Sequence, residues 1–239
     1  MAYFDGFVIA VPTANKQKFI DHANLGDAVF KEQGATRIVE AWGDDVPTGK
    51  VTDFQGAVKA KDDETVVFSW IEWPDKDARQ AAMGKMDALM KTDDRFNPEK
   101  NPMPFDGQRM IYGGFEPLLE EGEGRTGSYV EGFVIAVPDD KKDAYRDMAA
   151  GAWPLFKEYG AHRLVEAWAN DVPDGKTTDF RRAVSAKDGE QVVFSFIEWP
   201  DKATRDAGQK KMMEQEFDGE VPFDGQRMIF GGFTPVVEI

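Results

Sequence analysis

The chain states one pattern twice. Tyr3 to Val11, YFDGFVIAV, returns as Tyr129 to Val137, YVEGFVIAV, and the match continues through GATRIVEAW and GAHRLVEAW. It runs on through VVFSWIEWPDK and VVFSFIEWPDK, and closes on PFDGQRMIYGGF from Pro104 and PFDGQRMIFGGF from Pro222. Self-similarity of this length means a duplicated structural unit, so the fold is two copies of one plan. A length of 239 residues suits two small domains, each able to bury a core. The units expected are residues 1–119 and 128–239, joined by an acidic, glycine-rich linker at 118–128, LLEEGEGRTGS. That linker contains Gly122-x-Gly124-x-x-Gly127, but a strand pattern follows it where a dinucleotide fingerprint needs a helix.

Within each copy the order of elements can be read from periodicity and punctuation. The runs Gly6 to Val11 and Gly132 to Val137 are strands closed by Pro12 and Pro138. A helix follows, with Thr13 or Asp139 expected at its N-cap and Gly34 or Gly160 just past its end. Gly151 and Pro154 inside the second of these helices predict a bend. Thr36 to Trp42 and His162 to Trp168 are second strands, ended by Pro-x-Gly turns at Pro47 and Pro173. Phe54 to Ala60 and Thr65 to Trp73 read as a hairpin. A second helix starts at Asp75 or Asp201, and Arg109 to Glu116 or Arg227 to Thr234 is the last strand. This order is the α+β, ferredoxin-like split βαβ plan.

The third-strand run Val66 to Ile71 is apolar on both alternating faces, as is the first strand. Two helices cover only one face of a small antiparallel sheet, whose second face is normally polar. Left bare, that second face would cost on the order of several kcal/mol. The other copy is the cover at hand, giving two repeats packed sheet to sheet as an internal pseudo-dimeric barrel. An extended linker reaches roughly 36 Å, enough for the return. The alternative is pairing with a copy from another chain.

Both copies resemble the YbaA-like domain of unknown function, a family of small bacterial proteins. The residues that carry the resemblance are Gly6 to Pro12, Glu40-Ala41-Trp42, Asp45-Val46-Pro47-x-Gly49-Lys50, Thr52-Asp53-Phe54, Pro104 to Gly107 and Met110 to Phe115, with their counterparts in copy two. The resemblance implies a dimeric α+β barrel, in which two ferredoxin-like subunits share one barrel. It carries over no catalytic residues. The fusion departs from the single-domain form and puts internal pairing, as a monomer or weak homo-oligomer, in place of an ordinary homodimer.

Chemistry-bearing candidates are few. Glu40, Glu72, Glu166 and Glu198 interrupt apolar strands, and desolvation would raise such a carboxyl into the range of a general acid or base. The structural alternative is a rim residue, or one paired with Arg37, Arg163, Arg109 or Arg227. Trp42 and Trp168, with Trp73 and Trp199, either line a pocket or fill the core. Arg109 and Arg227 are candidate ligand contacts. Gly113, Gly114, Gly231 and Gly232 sit mid-strand, where glycine marks a bulge, a close approach or room for a ligand. His22 and His162 have Met148 and Thr36 as counterparts, which argues against a duplicated histidine metal or haem site.

Charge and composition bound the partners. A net charge of -15 repels phosphate backbones and anionic lipid, so neither nucleic acid nor membrane is expected. Without cysteine there is no disulfide, thiolate catalysis or thiolate zinc site. No apolar stretch approaches bilayer length, and no leader pattern opens the chain, so a cytoplasmic protein with no cofactor and no metal is expected. The function that follows is a non-catalytic small-molecule-binding or assembly module. The rival is a cofactor-independent enzyme, monooxygenase- or isomerase-like, using an embedded Glu. A closed pocket touching Glu40 or Glu72 separates the two.

Overall fold

Strand β1 (Tyr3–Pro12) leads in repeat one of the computed structural model, which describes residues 2–215 and 221–239. It is followed by α1 (Lys16–Glu32), β2 (Arg37–Asp45), a single turn α2 (Phe54–Ala57), β3 (Glu64–Trp73), α3 (Lys76–Thr92) and β4 (Ile111–Gly122). Repeat two supplies β5 (Tyr129–Pro138), α4 (Lys142–Glu158), β6 (Arg163–Asp171), α5 (Phe180–Ala183), β7 (Glu190–Trp199), α6 (Lys202–Met213) and β8 (Ile229–Glu238). All eight strands hydrogen-bond into one closed antiparallel barrel in the order β1-β3-β2-β8-β5-β7-β6-β4. Each half contributes four adjacent strands. The halves join edge to edge where β2 pairs with β8 and β4 with β6, with a register shift at two points on each seam.

Alternation along each strand assigns its side chains. Phe4, Val8, Ala10, Val39, Ala41, Val66, Phe68 and Trp70 face inward and meet their repeat-two equivalents in one core. The Phe68 and Phe194 rings stack at 4.5 Å, and Trp70 stacks on Phe196 at 4.2 Å. Gly6 and Gly132 make this closeness feasible: a Cβ on Gly6 would lie 2.8 Å from the Phe194 ring, and one on Gly132 2.9 Å from Phe68. Outward residues such as Ile9, Val11, Trp42 and Val67 are covered by Phe19 and Ala23 of α1. The doubly apolar strands are thus dry on both sides, helices outside and the opposite half inside.

Several local expectations are corrected. Phe54 to Ala60 does not form a hairpin strand. Asp53 accepts the Gly56 amide at 2.6 Å and caps a helical turn instead, which sends Phe54 into the barrel edge-on to Phe68 and Phe233. Phe180 does the same from α5, so one barrel end is plugged by two phenyl rings. Thr13 and Asp139 open short 3-10 turns, and the caps of α1 and α4 are Asn15 and Lys141 without side-chain bonds. Pro154 does lie inside a helix, α4, which runs on to Glu158. Residues 118–122 of the expected linker belong to β4, which pairs with β6, leaving 123–128 as the connection. Gly34 and Gly160 do end their helices at φ 108°, and Asp75 and Asp201 do cap α3 and α6. Among the described residues no helix is long and apolar enough to cross a membrane.

Because the seams and the stacked core hold the halves together, the connection should be dispensable once folded. A protease site placed within 123–128 and cleaved should leave one particle of undiminished mass in native mass spectrometry, separating only in denaturant. Two free monomers would contradict the shared barrel.

Candidate functional site

The four candidate glutamates divide into two environments. Glu72 and Glu198 lie on the inward face, one layer beyond Trp70 and Phe196, at the barrel end opposite Phe54 and Phe180. Arg37 stands beside Glu72 in the β2–β3 register, and Arg163 beside Glu198. The close pairs nevertheless cross between halves. Arg37 grips both oxygens of Glu198 at 2.6 and 3.0 Å, and Arg163 both oxygens of Glu72 at 2.7 and 3.0 Å. Trp70 Nε1 also donates to Glu72 at 2.9 Å, and Arg163 reaches Glu120 at 2.7 Å. Burial pushes the Glu72 carboxyl up, but the bonds and charge of Arg163 more than offset it, and the group ends below its ordinary range. This layer closes the barrel with fully engaged carboxylates, which suits a structural clamp and not a base.

Glu40 and Glu166 face the other way, under α1 and α4. The Ser69 hydroxyl donates to Glu40, and the Tyr145 hydroxyl donates to Glu166 at 2.6 Å. Neither carboxyl meets a cation. Burial therefore dominates and raises Glu166 to about 7, against the bonds from Tyr145 and Ser195. Glu40 is raised in the same way, opposed only by Ser69. Beside it lies Asp27 of α1, also buried, with Oδ2 unpartnered, and burial plus the Glu40 charge push its carboxyl well above the ordinary range. Repeat two has Trp153 in place of Asp27. Sequence reasoning passed over Asp27; the signal was a carboxylate on the apolar stripe of Phe19 and Ala23.

A second pair of polar clusters also went unread. Asp5 accepts from Trp73 Nε1 at 2.8 Å and Arg79 Nε at 3.0 Å, and Arg79 continues to Asp171 of the other half at 2.7 Å. In repeat two, Trp199 donates to Glu131 at 3.2 Å, and Arg205 bonds Tyr129 at 3.0 Å and Asp45 at 2.7 Å. Burial raises Glu131 to about 7, with the Arg205 charge opposing. The sign in the sequence was an acid at the same place in both opening strands. These clusters bolt α3 and α6 to the sheet and to the opposite half.

The remaining candidates are placed as follows. Trp42 and Trp168 are buried beneath α1 and α4, with Lys16 and Lys142 at 5.2 and 4.8 Å over their rings. Arg109 binds both Glu64 oxygens at 2.6 Å, and also Asp106 and the Lys59 carbonyl. Arg227 repeats this with Glu190, Asp224 and the Ser185 carbonyl. Lys59 and Ser185 both adopt φ 48°, so each arginine braces a strained turn. Beside Gly114 and Gly232 the space a side chain would take is occupied by the hydroxyls of Tyr3 and Tyr129. Gly113 faces Val172, where a Cβ would come to 2.8 Å, and Gly231 faces Val46 at 3.2 Å. The glycine pairs serve close approach.

Open space lies at the surface. A cleft of about 430 Å³ runs between Gln108 to Tyr112 and the loop Pro173 to Asp179. A second, of about 410 Å³, lies between α1 and Lys100 to Pro104. Neither is lined by Glu40, Glu72, Glu166 or Glu198. Among the described residues no three His, Asp or Glu side chains are grouped to hold a metal ion.

The model of the family described as "Protein of unknown function (DUF1428)" matches residues 2–107 and 128–225, and the chain belongs to that family. The uncharacterised protein YbaA of Escherichia coli K12 is 62% identical over 114 residues, 46% of this chain and 97% of that protein. A relative in Shigella flexneri matches equally. Among solved structures, a candidate monooxygenase of Lactobacillus acidophilus aligns over 99% of this chain and 95% of its own, with TM-score 0.57 and 12% identity. An anthrone oxidase-like protein aligns over 100% and 92%, with TM-score 0.52 and 11% identity. These two likenesses establish the shared α+β barrel fold.

Two outcomes follow from the carboxyl environments. Glu166 is raised in the folded state above its ordinary 4.5, so its contribution is full below that value and is lost as pH climbs to about 7. The loss is on the order of 3 kcal/mol at about 1.4 kcal/mol per unit. Glu166→Gln should therefore raise the urea midpoint at pH 8 and leave it nearly unchanged at pH 4; an equal effect at both would contradict the buried neutral acid. Glu198→Ala should cost about 3–5 kcal/mol in the same assay, since it strands Arg37 without its main partner.

Proposed function

We propose that this member of the DUF1428 family is a non-catalytic small-molecule-binding module. We read it as two ferredoxin-like units, residues 1–119 and 128–239, sharing a barrel whose interior is structural. The order β4-β1-β3-β2 within a half, with two helices on its outer face, supports the ferredoxin-like reading. The filled interior is the observation that carries the functional one. Phe54, Phe68, Phe115, Phe180, Phe194 and Phe233 meet there, and crossed ion pairs close the end. Ligands are then met on the outside, where the clefts are. With this reading go a cytoplasmic chain, a monomer or weak homo-oligomer by internal pairing, and neither nucleic acid nor membrane as partner.

The second reading is a cofactor-independent oxygenase or isomerase. It draws on Glu40 and Glu166, which burial raises to about 7 in both halves, and on the descriptions of the structural neighbours. A general base must come within about 2.6–3.2 Å of the proton it takes. Both glutamates are instead buried under helices.

An oxygen electrode decides between them with anthrone as probe. The full chain should consume oxygen no faster than buffer. Uptake that depends on the chain and disappears in the Glu40→Gln, Glu166→Gln double variant would overturn the non-catalytic reading.

A further inference from the structure

The repeats are offset by 126 at Asp75 and Asp201, but by 118 at Pro104 and Pro222, so repeat one carries eight extra residues before its last strand. The segment that includes them folds back along α1. Arg95 fastens it to Glu32 through two bonds of 2.7 Å, and Asn15 Nδ2 donates to the Pro104 carbonyl at 2.9 Å. Between this segment and α1 lies the cleft of about 410 Å³. His22 lines it.

The histidine is oriented by a relay. Asn101 Nδ2 donates to the Arg95 carbonyl at 2.7 Å, which turns Asn101 Oδ1 toward His22 Nδ1 at 2.9 Å. An amide oxygen only accepts, so Nδ1 carries the ring proton and Nε2 keeps a lone pair. Nε2 has no hydrogen-bond partner among the described residues. Burial lowers the His22 pKa, against the Asn101 bond, and this keeps the ring neutral.

The rest of the lining is mixed in a telling way. Leu25 and Met103 are 43% and 54% exposed, two of the large apolar side chains that the fold leaves uncovered, and both border this cleft. Lys18 adds an ammonium and Asp21 a carboxylate that accepts from Gln17 Nε2 at 2.9 Å, whereas Lys100 is engaged with Asp94. In repeat two the positions of Lys18, His22 and Leu25 hold Ala144, Met148 and Gly151. At the matched positions the imidazole, the leucine and the ammonium therefore belong to repeat one and not to repeat two.

We propose that this cleft is a single-copy binding site for a small hydroxylated aromatic acid. The ligand's hydroxyl donates to His22 Nε2, its ring packs on Leu25 and Met103, and its carboxylate faces Lys18. A thioether against a ring edge is favourable, and an exposed ammonium supplies modest, salt-sensitive attraction. The proposal rests on the binding-module reading and adds the ligand class and place.

The test uses the full chain, p-hydroxybenzoate, and benzoate as the analogue without the hydroxyl. Calorimetry should show one equivalent of p-hydroxybenzoate bound at least tenfold more tightly than benzoate. His22→Met, which installs the repeat-two residue, should erase that ratio, and Lys18→Ala should weaken both acids. Imidazole NMR should show the His22 ring shifting and His162 unmoved; this readout stands even if His22→Met fails to fold. Absence of saturable binding, equal binding of the two acids, or a still His22 signal would overturn the proposal. Those results would remove this site and leave the non-catalytic reading to the anthrone assay.

Discussion

Strands that are apolar on both faces need two covers, and every large feature of this molecule answers that need. The helices of each half supply one cover. The other comes from the opposing half, whose rings meet it on the barrel axis: Phe68 on Phe194, Trp70 on Phe196. Once the inner faces meet, the sheet edges lie close enough to pair, and β2–β8 with β4–β6 leaves no edge open. The polar clusters then follow the barrel's geometry. Its open ends are where side chains from both halves converge, so one end takes phenyl plugs and the other takes crossed ion pairs.

Identical side-chain chemistry has opposite consequences on the two surfaces of the same sheet. Glu72 and Glu198 point inward to a layer where each half contributes an arginine, and each is gripped by the guanidinium of the other half. Glu40 and Glu166 point outward to a layer that offers them hydroxyls, from Ser69 of β3 and Tyr145 of α4, and no cation, and burial favours their protonated forms. The distinction is one of side, which in a strand is set by parity alone. Buried ionic layers of this kind bring little net stability, but they penalise any register that leaves an arginine unpaired.

Parity was legible in the sequence, and so the two dry faces, the pairing of halves and the helix-terminal glycines could be read from it. What stayed hidden depends on long-range geometry or on competition between local signals. Phe54 to Ala60 carries a strand-like apolar pattern, yet Asp53 with Gly56 three residues on offers a helical cap, and the cap wins because Phe54 then fills the barrel end. That Arg163 grips Glu72 across 91 positions depends on the bulged seams, which no local pattern encodes. Glycines in β4 read equally as ligand space or close approach; only the position of Tyr3 and Val172 decides. Asp27 was masked for a different reason: it has no counterpart, and attention to matching positions hides it.

Such unmatched positions are what a fused chain permits. In a homodimer every residue on the twofold axis meets its own copy, and each off-axis site occurs twice. Position 70 would then meet its own copy, the same side chain on both sides of the axis. Joined halves relax that condition, and here Trp70 meets the smaller Phe196 at 4.2 Å. Off the axis the same freedom lets repeat one bury Asp27 beside Glu40 while repeat two buries Trp153, and lets His22 line a cleft where repeat two carries Met148. Both divergent positions lie on α1, outside the strands that form the seams. The ion-paired layer joins both halves, and there the two repeats present the same residues, Arg37 with Arg163 and Glu72 with Glu198.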